Sequence, residues 1–146
     1  MAELVCLDAG VVAKLFLPER GRDRAERLME ELDKAGAEIV VPAFFTAEVL
    51  SVLRNNVVRG RLDPAKGEAA ARWVVAFLGE VRQVEAAGYY QRAWELAIAL
   101  NWPTIYDTVY LAVAEIEGAD FWTADEGIYR AASDLARHWV NRLMLL

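Results

Sequence analysis

Residues 3–18 read ELVCLDAGVVAKLFLP. The apolar run 3–7 has the length of a buried strand, and Asp8 ends it. Residues 9–17, AGVVAKLFL, are apolar enough for a buried helix, which Pro18 closes. A strand handing over to a helix at an acid opens a strand–helix–strand unit, and the rest of the chain continues in that rhythm.

Outward from this stretch, residues 21–35 place Ala25, Leu28, Met29 and Leu32 at helical spacing, and Gly36 supplies a stop. Residues 38–41, EIVV, form the next strand, ended by Pro42. A long helix is predicted over 43–59, and another over 64–78 with Asp63 as cap and Pro64 at its first position. A strand follows at 81–84, then helices over 89–100 and 107–117. DFWT at 120–123 reads as a strand, and a short helix lies around 128–132. Residues 139–146 fit either an edge strand or a helix tail. Strands alternating with helices across short turns predict an α/β fold, a parallel sheet with helices on both faces. Binding sites in such sheets lie outside the carboxyl ends of the strands.

The chain has 146 residues, enough for one domain with its own core. Hydrophobic residues at 56% and charged residues at 26% exclude a disordered chain. No apolar run approaches the roughly 20 residues of a membrane span, so no membrane association is expected. The opening MAELVCLDAG has no basic segment and no cleavage site, so no signal peptide is expected either. The lone Cys6 fits a reducing compartment and a cytoplasmic location. A net charge of −6 argues against a generic nucleic-acid coat. It does not exclude a nuclease, because bound metal can invert the local field.

Four acids stand where a site is expected. Asp8 follows the first strand, and Asp125 lies two residues past DFWT. Asp107 opens a helix. Each of these has an ordinary reading as a helix cap. Glu48 differs: Phe44, Glu48 and Val52 share one helix side, with Phe45 and Val49 adjacent, so its carboxylate sits within an apolar stripe. The ordinary reading there is a salt bridge to Arg54 or Arg59. Thr123 is placed either to bond a neighbouring carboxylate or to end its strand. If the four acids converge, each pair 4 Å apart repels by about 4 kcal/mol at an effective dielectric of 20. A divalent cation removes that cost, and oxygen donors without His or Cys suit Mg²⁺ or Mn²⁺.

Other chemistries find no support. His138 is the only histidine and reads as a surface residue. Neither Ser51 nor Ser133 lies in a nucleophile elbow. No phosphate-cradling glycine loop occurs. The remaining hydrolase class is one in which metal activates the nucleophile.

In four blocks the chain resembles PIN-domain endoribonucleases, and most closely VapC-type toxins of toxin–antitoxin pairs. They are VCLDAGVVAKLFLPE with Asp8, IVVPAFFTAEVLSVLRNNVVRGRL with Glu48, PTIYDTVYLAVAE with Asp107, and ADFWTADEGIY with Asp125 and Thr123. The resemblance implies a three-layer α/β/α sandwich, with residues 1–146 as a single PIN-like nuclease domain. It implies Mg²⁺ or Mn²⁺ held by Asp8, Glu48, Asp107 and Asp125, and RNA cleavage by a metal-activated water. It also implies a homodimer and a cognate antitoxin that covers the site, often with an arginine. Gly10 departs from the Ser or Thr usual two residues after the first acid, and Glu126 is an extra acid.

Arg54, Arg59 and Arg61 follow Glu48 and are candidates for RNA phosphate contacts; the ordinary reading is a solvated helix end. Phe44, Phe45, Trp73, Phe77 and Trp94 read as core or subunit interface. The alternative function is a catalytically silent interaction module whose acidic pocket captures an Arg-rich partner peptide. A phosphoryl-accepting receiver domain would want a lysine near its end, whereas Lys14, Lys34 and Lys66 all fall in the first half.

Overall fold

The computed structural model describes residues 3–136 and 139–143. Five strands among these form one sheet: β1 (Leu4–Leu7), β2 (Glu38–Pro42), β3 (Arg82–Val84), β4 (Asp120–Thr123) and β5 (Val140–Arg142). All the pairings are parallel, in the order β3-β2-β1-β4-β5. Val5, Cys6 and Leu7 of β1 and Phe121 and Trp122 of β4 are buried, as central parallel strands require. Within the described part of the open stretch 139–146 the chain forms a short edge strand, β5; residues 144–146 lie outside the described residues. His138 lies outside the described residues.

The helices are α1 (Ala9–Ala13), α2 (Arg22–Ala35), α3 (Phe45–Val58), α4 (Pro64–Phe77), α5 (Ala87–Ala99), α6 (Tyr106–Glu117) and α7 (Glu126–Ala136). Helix α1 is shorter than the sequence predicts. After Ala13 the chain tightens into three-residue turns, Leu15 N–H to Val12 O and Phe16 N–H to Ala13 O. Pro18 disfavours helical backbone at the residue before it, so the helix cannot run to 17. Helix α7 is longer than predicted, because Ile128 and Ala132 anchor it by burial.

Right-handed crossovers place α1–α4 on one face of the sheet and α5–α7 on the other. Helices α5 and α6 form an antiparallel pair, tied by Arg92 to Glu115 at 2.6 Å and by the Tyr89 hydroxyl to Glu117 at 3.1 Å. Arg82 joins Glu38 and Glu117 at the amino ends of the strands. Helices α3 and α4 approach closely at Gly67, where an added Cβ would stand 2.5 Å from Val57 Cγ2. Gly67→Ala is therefore expected to lower unfolding free energy by about 1–3 kcal/mol in urea titration.

Strand order reverses at β1, whose connection leaves to β2 while β4 enters on its other side. The crevice at this switch point opens between the ends of β1 and β4. Asp8 and Thr123 stand at that opening.

Candidate active site

Asp8 directly follows β1 and is 7% exposed. It does cap α1: one oxygen accepts from the Gly10 N–H at 3.3 Å. The other accepts from the Thr123 hydroxyl at 2.8 Å. That hydroxyl also accepts the Asp125 N–H at 3.0 Å. Thr123 thus links the ends of β1 and β4 as a carboxylate partner. Thr123→Val keeps the shape, removes the donor and leaves the Asp125 N–H without its acceptor. Its expected cost is about 1–3 kcal/mol of unfolding free energy, measured by denaturant titration.

Asp125 caps α7, accepting from the Ile128 N–H at 3.1 Å through Oδ1. Asp107 is not the cap of its helix, a correction to its ordinary reading. Ile105 holds the cap position, and Asp107 lies in the first turn. Its Oδ2 accepts instead from the Trp102 indole N–H at 3.0 Å. A carboxylate is favoured there by the helix dipole as well.

Glu48 is half-buried in the first turn of α3. Among the described residues it forms no salt bridge, so the pairing with Arg54 or Arg59 is not made. Its partner is the Tyr110 hydroxyl, which donates at 3.3 Å. The Tyr110 ring is held edge-on by Phe44 at 5.5 Å. Tyr110 follows Asp107 by three residues, a spacing that puts both on one helix side. That spacing was the available signal for Tyr110, and neither Tyr110 nor Trp102 was singled out from the sequence.

Three of the acids feel the charge of their neighbours. Asp8 is pushed up to about 6, first by burial, with Asp107 and Asp125 adding repulsion against the Thr123 and Gly10 hydrogen bonds. Glu48 is pushed up to about 7 by burial, then by Asp8 and Asp107, with Tyr110 opposing. Burial also raises Asp107, and the neighbouring Asp125 adds to it. No described lysine or arginine forms an ion pair with any of the four. Glu126 stands apart: it pairs with Arg130 and with Arg142 at 3.3 Å.

A groove of about 590 Å³ opens beside the acids, lined by Phe44, Ala47, Glu48, Ser51, Thr104, Tyr106 and Asp107. Tyr106 is 60% exposed on its rim. Arg54, Arg59 and Arg61 are exposed and do not line this groove. Arg54 lies six residues beyond Glu48, about 9 Å along the helix axis.

The donor set is carboxylate oxygen alone, partly desolvated, self-repelling and without a basic partner among the described residues. That chemistry fits a hard divalent cation. Among the described residues no three acids stand as a finished ligand set.

A family model of the PIN domain matches residues 5–134. A search of curated proteins by sequence finds no match. Among solved structures, PAE2754 from Pyrobaculum aerophilum superposes with a TM-score of 0.69 at 18% identity, over 99% of this chain and 93% of that one. VapC20 from Mycobacterium tuberculosis, a sarcin-ricin loop cleaving toxin, gives 0.67 at 18% identity, over 88% and 94%. VapBC2 from Rickettsia felis, solved with a DNA fragment from its promoter, gives 0.66 at 15% identity, over 95% and 98%.

Proposed function

Because the chain belongs to the PIN domain family, we propose that it is a metal-dependent endoribonuclease, the VapC-type toxin of a type II toxin–antitoxin pair. The observation that carries this reading is the placement of buried Asp8, bonded to Thr123, beside Asp125 at the carboxyl ends of parallel strands, with no basic partner among the described residues, and with Asp107 and Glu48 close enough to share its field. In this reading Asp8, Glu48, Asp107 and Asp125 hold Mg²⁺ or Mn²⁺. When bound, such an ion neutralises the cluster, polarises a phosphoryl oxygen and lowers the pKa of water beside it.

The protein's own groups orient that chemistry. Thr123 fixes the rotamer of Asp8, and Tyr110 fixes Glu48. The groove along Phe44, Ser51, Thr104 and Tyr106 admits an RNA backbone next to the acids. Arg54, Arg59 and Arg61 meet phosphates farther along the strand. Replacing them is expected to reduce the salt dependence of RNA binding.

The same groove, acidic and lined with aromatic rings, suits the arginine of a cognate antitoxin. Trp94 and Ile98, one turn apart on α5 and 63% and 69% exposed, support a homodimer. No helix among the described residues is long and apolar enough to cross a membrane; the proposal places the toxin in the cytoplasm, where the buried Cys6 thiol stays reduced.

The test is cleavage of a panel of structured and unstructured RNAs with Mg²⁺, Mn²⁺ or chelator. Cleavage that requires the ion is the expected result. Metal uptake with no turnover on any RNA would instead favour a silent module that binds an Arg-rich peptide.

A further inference from the structure

Trp102 bonds one of the four acids and lies beside the helix that another caps. It lies in the loop between α5 and α6, just past Asn101, whose backbone is left-handed at φ 52°. The Trp102 main-chain N–H donates to Ala97 O at 2.8 Å, so the loop folds back on the end of α5. This turn delivers the indole to the carboxyl end of the sheet, where Nε1 donates to Asp107 Oδ2 at 3.0 Å.

The far end of the six-membered ring lies beside α7. Its Cη2 lies 3.4 Å from where a Cβ on residue 127 would stand, and Asp125 Oδ1 lies 3.1 Å from the same point. Residue 127 is glycine. Its backbone is not left-handed, so its conformation does not call for glycine. Glycine within a helix is less stable than alanine. What the position does need is space: an added Cβ would press on both the Asp125 carboxylate and the Trp102 ring.

We infer that Trp102 is a positioning residue: its indole holds the Asp107 carboxylate for an incoming cation, and the missing side chain at Gly127 leaves room for the indole beside Asp125. The indole occupies Asp107 Oδ2 and leaves Oδ1 for a ligand. The α7 cap occupies Asp125 Oδ1 and leaves Oδ2. Preset rotamers lower the ordering cost of binding, and outer partners of metal ligands change metal affinity by about 10–100-fold.

This inference rests on the proposed cation site, and its test separates the two. Mn²⁺ is titrated calorimetrically into the full chain, Trp102→Phe and Gly127→Ala, with melting temperatures taken in chelator. Trp102→Phe is expected to weaken Mn²⁺ binding by about 10-fold or more. Gly127→Ala is expected to weaken it several-fold while the melting temperature holds or rises, because alanine favours the helix. Merely structural roles predict the reverse, a lower melting temperature with unchanged affinity. Unchanged affinity in folded Trp102→Phe overturns the inference; should that variant not fold, unchanged affinity in Gly127→Ala does so. A wild-type chain that takes up no Mn²⁺ overturns the cation site, and the brace with it.

Discussion

Asp8→Asn is expected to lower metal-dependent RNA cleavage by more than about 100-fold, beyond the range seen for outer partners of a metal site. The same substitution is expected to raise the melting temperature of the ion-free chain at pH 8 by roughly 5 °C. Two effects of opposite sign follow from one feature. Asp8 is buried, and its charge is opposed by Asp107 and Asp125. Asparagine keeps an acceptor for the Thr123 hydroxyl, removes the charge and relieves the repulsion. It also forfeits an anionic ligand. A residue that served only as a helix cap would be replaced by asparagine with little change in stability or turnover, because the two cap helices about equally well. Cleavage rates and melting curves on one preparation distinguish these cases.

The second large effect concerns pH. Unfolded Asp8 ionises near 3.8, whereas in the folded chain it ionises near about 6. The folded state therefore holds the extra proton between these values, and stability falls as pH rises through the interval. For Asp8 this amounts to about 3 kcal/mol once ionisation is complete. Glu48 acts in the same direction and extends the fall to about pH 7. The ion-free chain is thus expected to lose stability from about pH 4 to pH 7 and then level off. Divalent cation favours the ionised carboxylates, so its stabilising effect should be least at the acid end and greatest above pH 7. Melting temperatures with chelator and with millimolar Mn²⁺, taken across this range, check both trends. In Asp8→Asn the fall should be shallower and the gain from Mn²⁺ smaller.

Much of this architecture is legible in local patterns. Buried strands such as EIVVP and DFWT are short, apolar and punctuated, so their places are plain. Their order in the sheet is not, because pairing depends on crossovers rather than on any local run. Apolar content over 9–17 reads as one helix, but Pro18 and the three-residue turns after Ala13 end α1 early. Residues 139–146 stayed ambiguous because three strand residues at a sheet edge carry almost no periodic signal.

The acids show the same division. Asp8, Asp107 and Asp125 sit at element boundaries, where capping and ligation look identical in sequence. The structure gives Asp8 and Asp125 capping bonds as well as neighbours of like charge, so the two readings coexist there. For Asp107 capping fails, since Ile105 holds that position. Glu48 was legible as an acid in an apolar stripe, yet its partner was not. Tyr110 comes from a helix on the other face of the sheet, 62 residues away. Trp102 was hidden for another reason: its role depends on a left-handed turn at Asn101 and on the absence of a side chain at Gly127.

The central claim is that these carboxylates form one site for a divalent ion. Calorimetric titration of Mn²⁺ into the wild-type chain and into Asp8→Asn at neutral pH tests it most directly. The account predicts saturable uptake by wild type and loss of most of that affinity in the variant. Uptake that is absent from wild type, or equal in the two chains, would contradict it.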